Sequence, residues 1–171
     1  MTRVNVIPAN MLLDQHLQAE INEIPRIAPL AKKYWLTKPT KGERAKLPET
    51  YRMGEGHMKF FYNKGTFIRL RSLALDKEGY ERKVPFRPSY SRLFEDYLAF
   101  TGKDAGIEWV DGKWIEGIDD DWVPTKEDIR INVARILERV ALRPFFYKWH
   151  GVKLTQKTYE QYVTLLNNYA K

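Results

Sequence analysis

The chain has 171 residues, of which 43% are hydrophobic and 30% are charged, and its formal net charge is +7. This length and composition are typical of a single folded domain and exclude wholesale disorder. The absence of cysteine excludes a disulfide framework and a thiolate metal site, and no apolar run is long enough for a membrane span.

The first predicted helix begins at Asn10, whose side chain is of a type that caps helices. Its apolar residues recur at helical spacing, and they are Leu13, Leu17, Ile21 and Ile24. Pro25 and Pro29 end or kink this helix, and a short amphipathic piece continues it over residues 30–36.

The middle of the chain alternates between turn-forming and helical patterns. Residues 37–48 are predicted to form a loop, and a glycine-punctuated turn follows at residues 53–57. A second helix is predicted from about Met58 to Gly79, where the glycine is a plausible stop.

A short helix is predicted over residues 91–100. The strongest β pattern follows at residues 107–115, where Asp-Gly between alternating apolar residues favours a two-residue hairpin turn. Closing that turn sets Trp109 opposite Trp114, and a structural aromatic pair is favoured over a tryptophan that reaches a DNA base.

The C-terminal part begins with a capping box at residues 125–128, which predicts a helix running to Arg143. On one face of this helix basic residues recur every four positions, at Arg135, Arg139 and Arg143. An aromatic and basic segment follows at residues 145–151, and a last amphipathic helix is predicted over residues 155–170.

These elements predict a mainly α fold, a compact single-domain helical bundle with a small β-hairpin insertion near residues 107–115. Basic stretches at residues 1–60, 61–92 and 129–171 flank an acidic one at 93–128. A shared basic face would hold phosphates and indicate nucleic acid, whereas ordinary solvated charge with an acidic loop is the alternative.

Metal-binding and hydrolytic motifs have little support. His16 and Glu20 lie four residues apart on one helix face but lack a third ligand, so a surface or hydrogen-bonded histidine is favoured. Three consecutive aspartates at residues 119–121 indicate an acidic loop rather than a metal-dependent nuclease. The chain has no P-loop, dinucleotide fingerprint or Gly-x-Ser-x-Gly motif.

The N-terminus offers a different nucleophile. Thr2 is small enough for the initiator methionine to be removed, which would leave a free α-amine on Thr2. Such an amine has a pKa near 7.7–8.0, against about 10.4 for lysine, so roughly a third of it is neutral near pH 7.5. A neutral amine can attack a sugar C1′ and form a Schiff base without special tuning.

A resemblance to a known family is carried by residues 1–5, 14–20, 23–26 and 54–64, and by the pairs 134–135, 143–144 and 147–148 followed by Gly151. In order and spacing they resemble the phage and algal-virus pyrimidine-dimer DNA glycosylases, the endonuclease V family of DNA repair. The first 27 residues align with the family pattern without a gap.

The resemblance implies a helical fold with an N-terminal arm packed between helices. It implies a monomeric enzyme that needs no cofactor or metal and acts on double-stranded damaged DNA. The absence of cysteine and of an apolar N-terminal stretch favours the cytosol (the host cytosol if viral). The family resemblance implies base flipping, a Schiff base on the Thr2 amine, β-elimination at the abasic site and Glu23 as the essential carboxylate. The implied DNA-binding residues are Arg3, Asn22, Arg26, Lys33, Arg135, Arg139, Tyr147 and Lys148.

The resemblance also implies a glycosylase and abasic-site lyase domain at residues 1–151, with an insertion at about 86–120 and a helical extension at 152–171. Asn22 departs from the family pattern, which typically has arginine there, so recognition of the pyrimidine dimer is open. A glycosylase for another damaged or modified base, and a non-catalytic DNA-binding protein on the same scaffold, are the alternatives.

Overall fold

The fold is mainly helical, as the sequence predicts. The computed structural model describes residues 3–85 and 122–171. Its helices are α1 (Asp14–Glu23), α2 (Ile27–Leu36), α3 (Lys41–Arg44), α4 (His57–Phe60), α5 (Gly65–Glu81), α6 (Lys126–Leu142) and α7 (Gln156–Tyr169). Strands β1 (Lys148–Trp149) and β2 (Val152–Lys153) pair antiparallel. Within these ranges no helix has both the length and the apolar character to cross a membrane.

Several predicted features lie outside the described residues. They are Thr2, the insertion at about 86–120, the short helix at 91–100 and the hairpin at 107–115. The helices predicted near the C-terminus are confirmed, because α6 begins after a capping box between Thr125 and Asp128 and ends at Leu142. The final helix α7 likewise lies within the predicted range.

The apolar faces of five helices meet in one core. The residues predicted for the first helix are all buried there. The buried apolar side chains include Leu17 and Ile21 of α1, Ala28 and Ala31 of α2, Ile68 and Leu75 of α5, Val133, Ile136 and Val140 of α6, and Tyr162 and Leu166 of α7. Helix amphipathicity therefore indicates correctly which faces pack together.

The first helix begins later than predicted. Residues 9–11 form a 3-10 turn without a side-chain cap, and α1 starts only at Asp14. The guanidinium of Arg82, after the end of α5, donates to the carbonyl oxygens of Asn10 at 2.9 Å and Leu12 at 2.6 Å. These bonds come from a residue some seventy positions away, so the local sequence around Asn10 cannot predict them.

The second predicted helix is two helices, because the chain turns between Phe60 and Gly65. The buried ammonium of Lys64 donates to the Phe60 carbonyl at 3.0 Å and lies 4.0 Å from the centroid of the Phe60 ring. In a continuous helix that carbonyl would accept the amide of residue 64. The Lys64 side chain takes the place of the amide at this carbonyl, and α5 begins separately at Gly65.

Two short elements are absent from the predictions. Helix α3 lies inside the predicted loop and begins with a capping box between Thr40 and Glu43. The hairpin of β1 and β2 lies within and just after the aromatic and basic segment. Its turn residues His150 and Gly151 have φ values of 50° and 81°, as a two-residue hairpin turn requires.

Residues 3–7, here called the arm, belong to no helix or strand and run between the helices without a β partner. Each of the five amides donates to a side chain. The acceptors are Glu23 for Arg3 (2.9 Å), His57 for Val4 (2.8 Å), Glu20 for Asn5 (3.0 Å), and Asn132 for Val6 (2.8 Å) and Ile7 (3.2 Å). Because buried amides must be paired, these side chains determine where the arm lies.

A buried ion pair organises these acceptors. Arg71 of α5 donates two parallel bonds, of 2.8 and 2.9 Å, to the carboxylate of Glu20, which is 1% exposed. The side-chain amide of Asn5 donates to the same carboxylate at 2.6 Å and accepts from Asn132 at 2.8 Å. The four side chains thus connect α1, α5 and α6 to the arm.

Replacing Arg71 by methionine tests this network. We expect Arg71→Met to lower the free energy of unfolding by about 3–5 kcal/mol, because it leaves the Glu20 carboxylate buried without its partner. Arg130→Met is the matched control, since its pair with Glu127 is exposed and typically contributes less than about 1 kcal/mol. Urea unfolding of both variants measures the difference, and equal small losses would contradict the role given to the pair.

Candidate active site

A cavity of about 220 Å³ lies between the arm, α1 and α6. Its lining residues are Arg3, Asn5, His16, Ala19, Glu20, Glu23, Met53, Arg135, Ile136 and Arg139. Residues three or four positions apart share one face of a helix. The spacing 16, 19, 20 and 23 on α1, and 135, 136 and 139 on α6, therefore presents one face of each helix to the cavity.

The carboxylate of Glu23 lies at the last residue of α1, where the chain turns into a 3-10 segment containing Pro25. Its Oε2 accepts the amide of Arg3 at 2.9 Å. This bond brings the carboxylate beside the first peptide group that the structure describes. Glu20, one turn earlier, is fully engaged by Arg71 and Asn5, so Glu23 is the carboxylate in the cavity that is available for chemistry.

Three guanidinium groups surround the cavity. Partial burial, and then the neighbouring cations Arg139 and Arg135, lower the pKa of Arg3, while Glu23 acts in the opposite direction. Arg135 is partly neutralised by Glu138, at 2.7 Å on the outer side of α6. The mutual repulsion of these cations is relieved when an anion enters, so the site favours a phosphate.

His16 is a half-buried part of the cavity wall, whereas the sequence analysis favours a surface or hydrogen-bonded histidine. Its ring packs on Tyr147 with centroids 4.8 Å apart, and among the described residues its Nδ1 is buried without a hydrogen-bond partner. Burial, followed by the cations Arg3 and Arg139, lowers the pKa of His16 to about 4. The ring is therefore neutral at pH 7.

The first turn of α1 docks the aromatic and basic segment beside the cavity. Gln15 donates to the carbonyl of Phe146 and accepts the amide of Lys148, each at 2.9 Å. Asp14 accepts the amides of the hairpin turn, at 3.1 Å from His150 and 2.8 Å from Gly151. These contacts place Tyr147 against His16 and leave Lys148 exposed nearby.

The structure brings together four of the predicted site residues, since Arg3, Glu23, Arg135 and Arg139 all line the cavity. The remaining described ones lie outside it. Tyr147 packs against the cavity residue His16, and Asn22, Arg26, Lys33 and Lys148 are exposed on the surface. The predicted nucleophile Thr2 lies outside the described residues.

Sequence reasoning missed the residues that hold the site in place. Asn5, His57, Arg71 and Asn132 act through hydrogen bonds to the arm or to Glu20. The one local signal was a polar residue at a position of α6 whose neighbours are apolar, which marks Asn132 as a candidate buried acceptor. Within the described residues no group of three or more potential ligands could hold a metal ion.

A family model described as pyrimidine dimer DNA glycosylase matches residues 1–91 of the chain. The match spans more than half of the 171 residues, and the chain therefore belongs to this family. It includes the arm, α1 and α5, whereas Arg135 and Arg139 of the cavity come from α6, outside the matched residues. The chain is thus an enzyme of DNA-glycosylase type.

Because His16 is neutral in the folded chain, we expect the protein to lose stability in acid. In the unfolded chain His16 takes up a proton near pH 6.5, whereas in the folded chain it does so only near pH 4. The contribution of His16 to the free energy of unfolding is therefore full above pH 6.5 and falls as the pH drops towards 4. Between pH 7 and 4.5 we expect wild type to lose about 2.5 kcal/mol more than His16→Gln.

Urea unfolding at the two pH values measures this difference. Burial also lowers the pKa of His57, so the glutamine variant should retain a smaller loss of the same sign. Equal pH dependence in the two proteins would show that the His16 ring is protonated as easily in the folded chain as in the unfolded one.

Proposed function

We propose that this member of the pyrimidine dimer DNA glycosylase family is a bifunctional glycosylase and abasic-site lyase. In this proposal the α-amine of Thr2, freed by removal of Met1, is the nucleophile, and Glu23 is its acid and base partner. The proposed substrate is double-stranded DNA containing a cyclobutane pyrimidine dimer.

The observation that carries the proposal is the hydrogen bond from the Arg3 amide to Glu23, of 2.9 Å. Thr2 is joined to Arg3 through this amide, and the proposal assigns its α-amine and the Glu23 carboxylate to one reaction. A nucleophile and a proton-transferring group within a few ångströms of one another are what imine chemistry requires.

The chemistry then follows in two stages. The neutral amine attacks C1′ of the damaged nucleotide, the C1′–N bond breaks, and the base leaves with the bonding electrons. The nitrogen, now cationic, gives one proton to the departing base. A proton from Glu23 to the ring oxygen then breaks the C1′–O4′ bond and leaves a protonated imine between C1′ and the Thr2 nitrogen. Removal of a C2′ proton then expels the 3′ phosphate, and hydrolysis of the imine returns the amine.

The cations of the cavity and its surroundings supply the DNA contacts in this proposal. Arg3, Arg135 and Arg139 would bind phosphate at the reacting nucleotide, where their guanidinium groups form charge-assisted bonds. The exposed residues Arg26, Lys33 and Lys148 would contact the flanking backbone. Exposed Asn22 has an uncharged amide where the family typically has arginine. Arg26, Lys33 and Lys148 would therefore contribute more of the binding free energy of the damaged DNA.

Borohydride trapping tests the nucleophile. We expect wild type with Met1 removed to form a covalent adduct with dimer-containing or abasic duplex when borohydride is present, because reduction of an imine makes it permanent. Protein whose α-amine is acetylated should bind the same duplex but form no adduct. Denaturing electrophoresis measures the adduct, and full trapping by the blocked protein would rule out Thr2.

Substitution of Glu23 tests the acid and base role. Glu23→Gln keeps an oxygen that can accept the Arg3 amide but removes proton transfer, a step typically worth ~10²–10⁴-fold in rate. We expect single-turnover cleavage to fall by that factor while affinity for a duplex with an uncleavable abasic analogue is retained. Glu127→Gln, an exposed carboxylate on α6, is the matched control. A parallel fall in affinity and rate would make Glu23 a structural residue.

A further inference from the structure

A second concave surface lies on the other side of the 53–57 turn from the active-site cavity. Met53 lines the cavity, whereas Gly54 to Lys59 line a groove of about 510 Å³. The far walls of this groove are Leu30 of α2, Tyr62, and Lys46, Pro48 and Arg52 of the segment before the turn. It is the larger of the two concavities, and the family resemblance places no DNA contact in it.

The groove carries an excess of positive charge. Lys46, Arg52 and Lys59 are exposed along it, and Glu55 is its one acidic lining residue. In the part of the chain that the structure describes, none of these three cations has a carboxylate within ion-pair distance or a side-chain hydrogen bond. Their charge is therefore available to an external anion.

The groove wall is closely packed at Gly56. Gly56 has a φ of +80°, and a Cβ there would lie 3.1 Å from Pro48 Cγ and 3.6 Å from Arg52 Cδ. The Arg52 stem thus packs over the bare backbone of this turn. A side chain at position 56 would be strained in conformation and would crowd Pro48 and the Arg52 stem.

His57 joins this wall to the arm. Its Nε2 accepts the Val4 amide at 2.8 Å, so the remaining ring nitrogen, Nδ1, is the one that carries a proton and donates to the carbonyl of Arg52. Burial lowers the pKa of His57, which keeps this neutral arrangement. One buried ring therefore spans from the groove residue Arg52 to the residue next to Arg3 in the cavity.

We propose that this groove binds the phosphate backbone of the DNA duplex beside the nucleotide held in the active-site cavity. The inference rests on the proposed function, because it takes the strand in the cavity to continue across the 53–57 turn. Phosphates follow one another at about 3.4 Å of helix axis per strand, so a strand leaving the cavity offers several to a groove this close. Long, exposed cations on an open wall suit a row of phosphates, which position a protein on DNA without reading its sequence.

The salt dependence of DNA binding tests the proposal. The test variant is Lys46→Gln/Arg52→Gln/Lys59→Gln, and the control Lys77→Gln/Lys126→Gln/Lys157→Gln removes three exposed charges elsewhere. Affinity for undamaged duplex is measured by fluorescence anisotropy over a range of salt concentrations. Each phosphate that a cation neutralises adds about 0.9 to the slope of log K against log salt. We therefore expect the slope to become shallower by about 2 to 3 in the test variant and to stay unchanged in the control.

Two further measurements separate the possible outcomes. Lys46→Arg/Lys59→Arg keeps the charges and should keep the wild-type slope, and thermal unfolding checks that all variants fold. An unchanged slope in the test variant, or the same change in the control, overturns the proposal. Binding of inorganic phosphate that depends on the three cations, together with an unchanged slope on DNA, overturns it in favour of a small-anion site.

The failure of this inference can be told apart from the failure of the proposed function. The binding measurement uses duplex that is not cut, so it does not depend on catalysis. If wild type forms no borohydride adduct while the test variant has a shallower salt slope, Thr2 is not the nucleophile and phosphate binding in the groove stands. If wild type forms the adduct while the slope of the test variant is unchanged, the groove proposal is overturned and the Thr2 nucleophile stands.

Discussion

The arm at residues 3–7 is the constraint on which the rest of the structure depends. A non-helical segment inside a helical protein has no neighbouring strand to pair with, yet its buried amides must be satisfied. The chain meets this requirement with side chains from α1, α4 and α6, and the Glu20 side chain among them is held by its buried pair with Arg71. Asn5 and Asn132 complete the network, so the arm has one position relative to three helices.

The same helix faces that hold the arm also line the candidate active-site cavity. On α6, Asn132 binds the arm, and Arg135 and Arg139 follow at helical spacing to line the cavity. On α1, Glu20 binds the arm, while His16 and Glu23 lie one turn away on either side. Structure and chemistry are therefore coupled, because a shift of either helix would move an arm amide and a cavity group together.

The cations form two concave surfaces with different characters. In the cavity, guanidinium groups crowd around a carboxylate and a neutral histidine, an arrangement suited to one phosphate and a reacting sugar. In the groove, exposed cations stand along an open wall. His57 lies between the two, bonded to the arm on one side and to the groove on the other. The geometry suits an enzyme that would bind a strand over several phosphates and react at one nucleotide.

The sequence by itself determined the helical class, the buried faces of α1 and α6, the capping box at Thr125 and the final helix, because these depend on periodicity and local hydrogen bonds. Family resemblance also identified Arg3, Glu23, Arg135 and Arg139, which the fold brings to one cavity. Only the tertiary structure decided the late start of α1, the break before α5, the burial of His16 and the partners of the arm. The residues responsible are Arg82, Lys64, Arg71 and Asn132. Each of them either binds a residue that is distant in sequence or replaces a backbone hydrogen bond with a side-chain one, and no local pattern encodes such contacts.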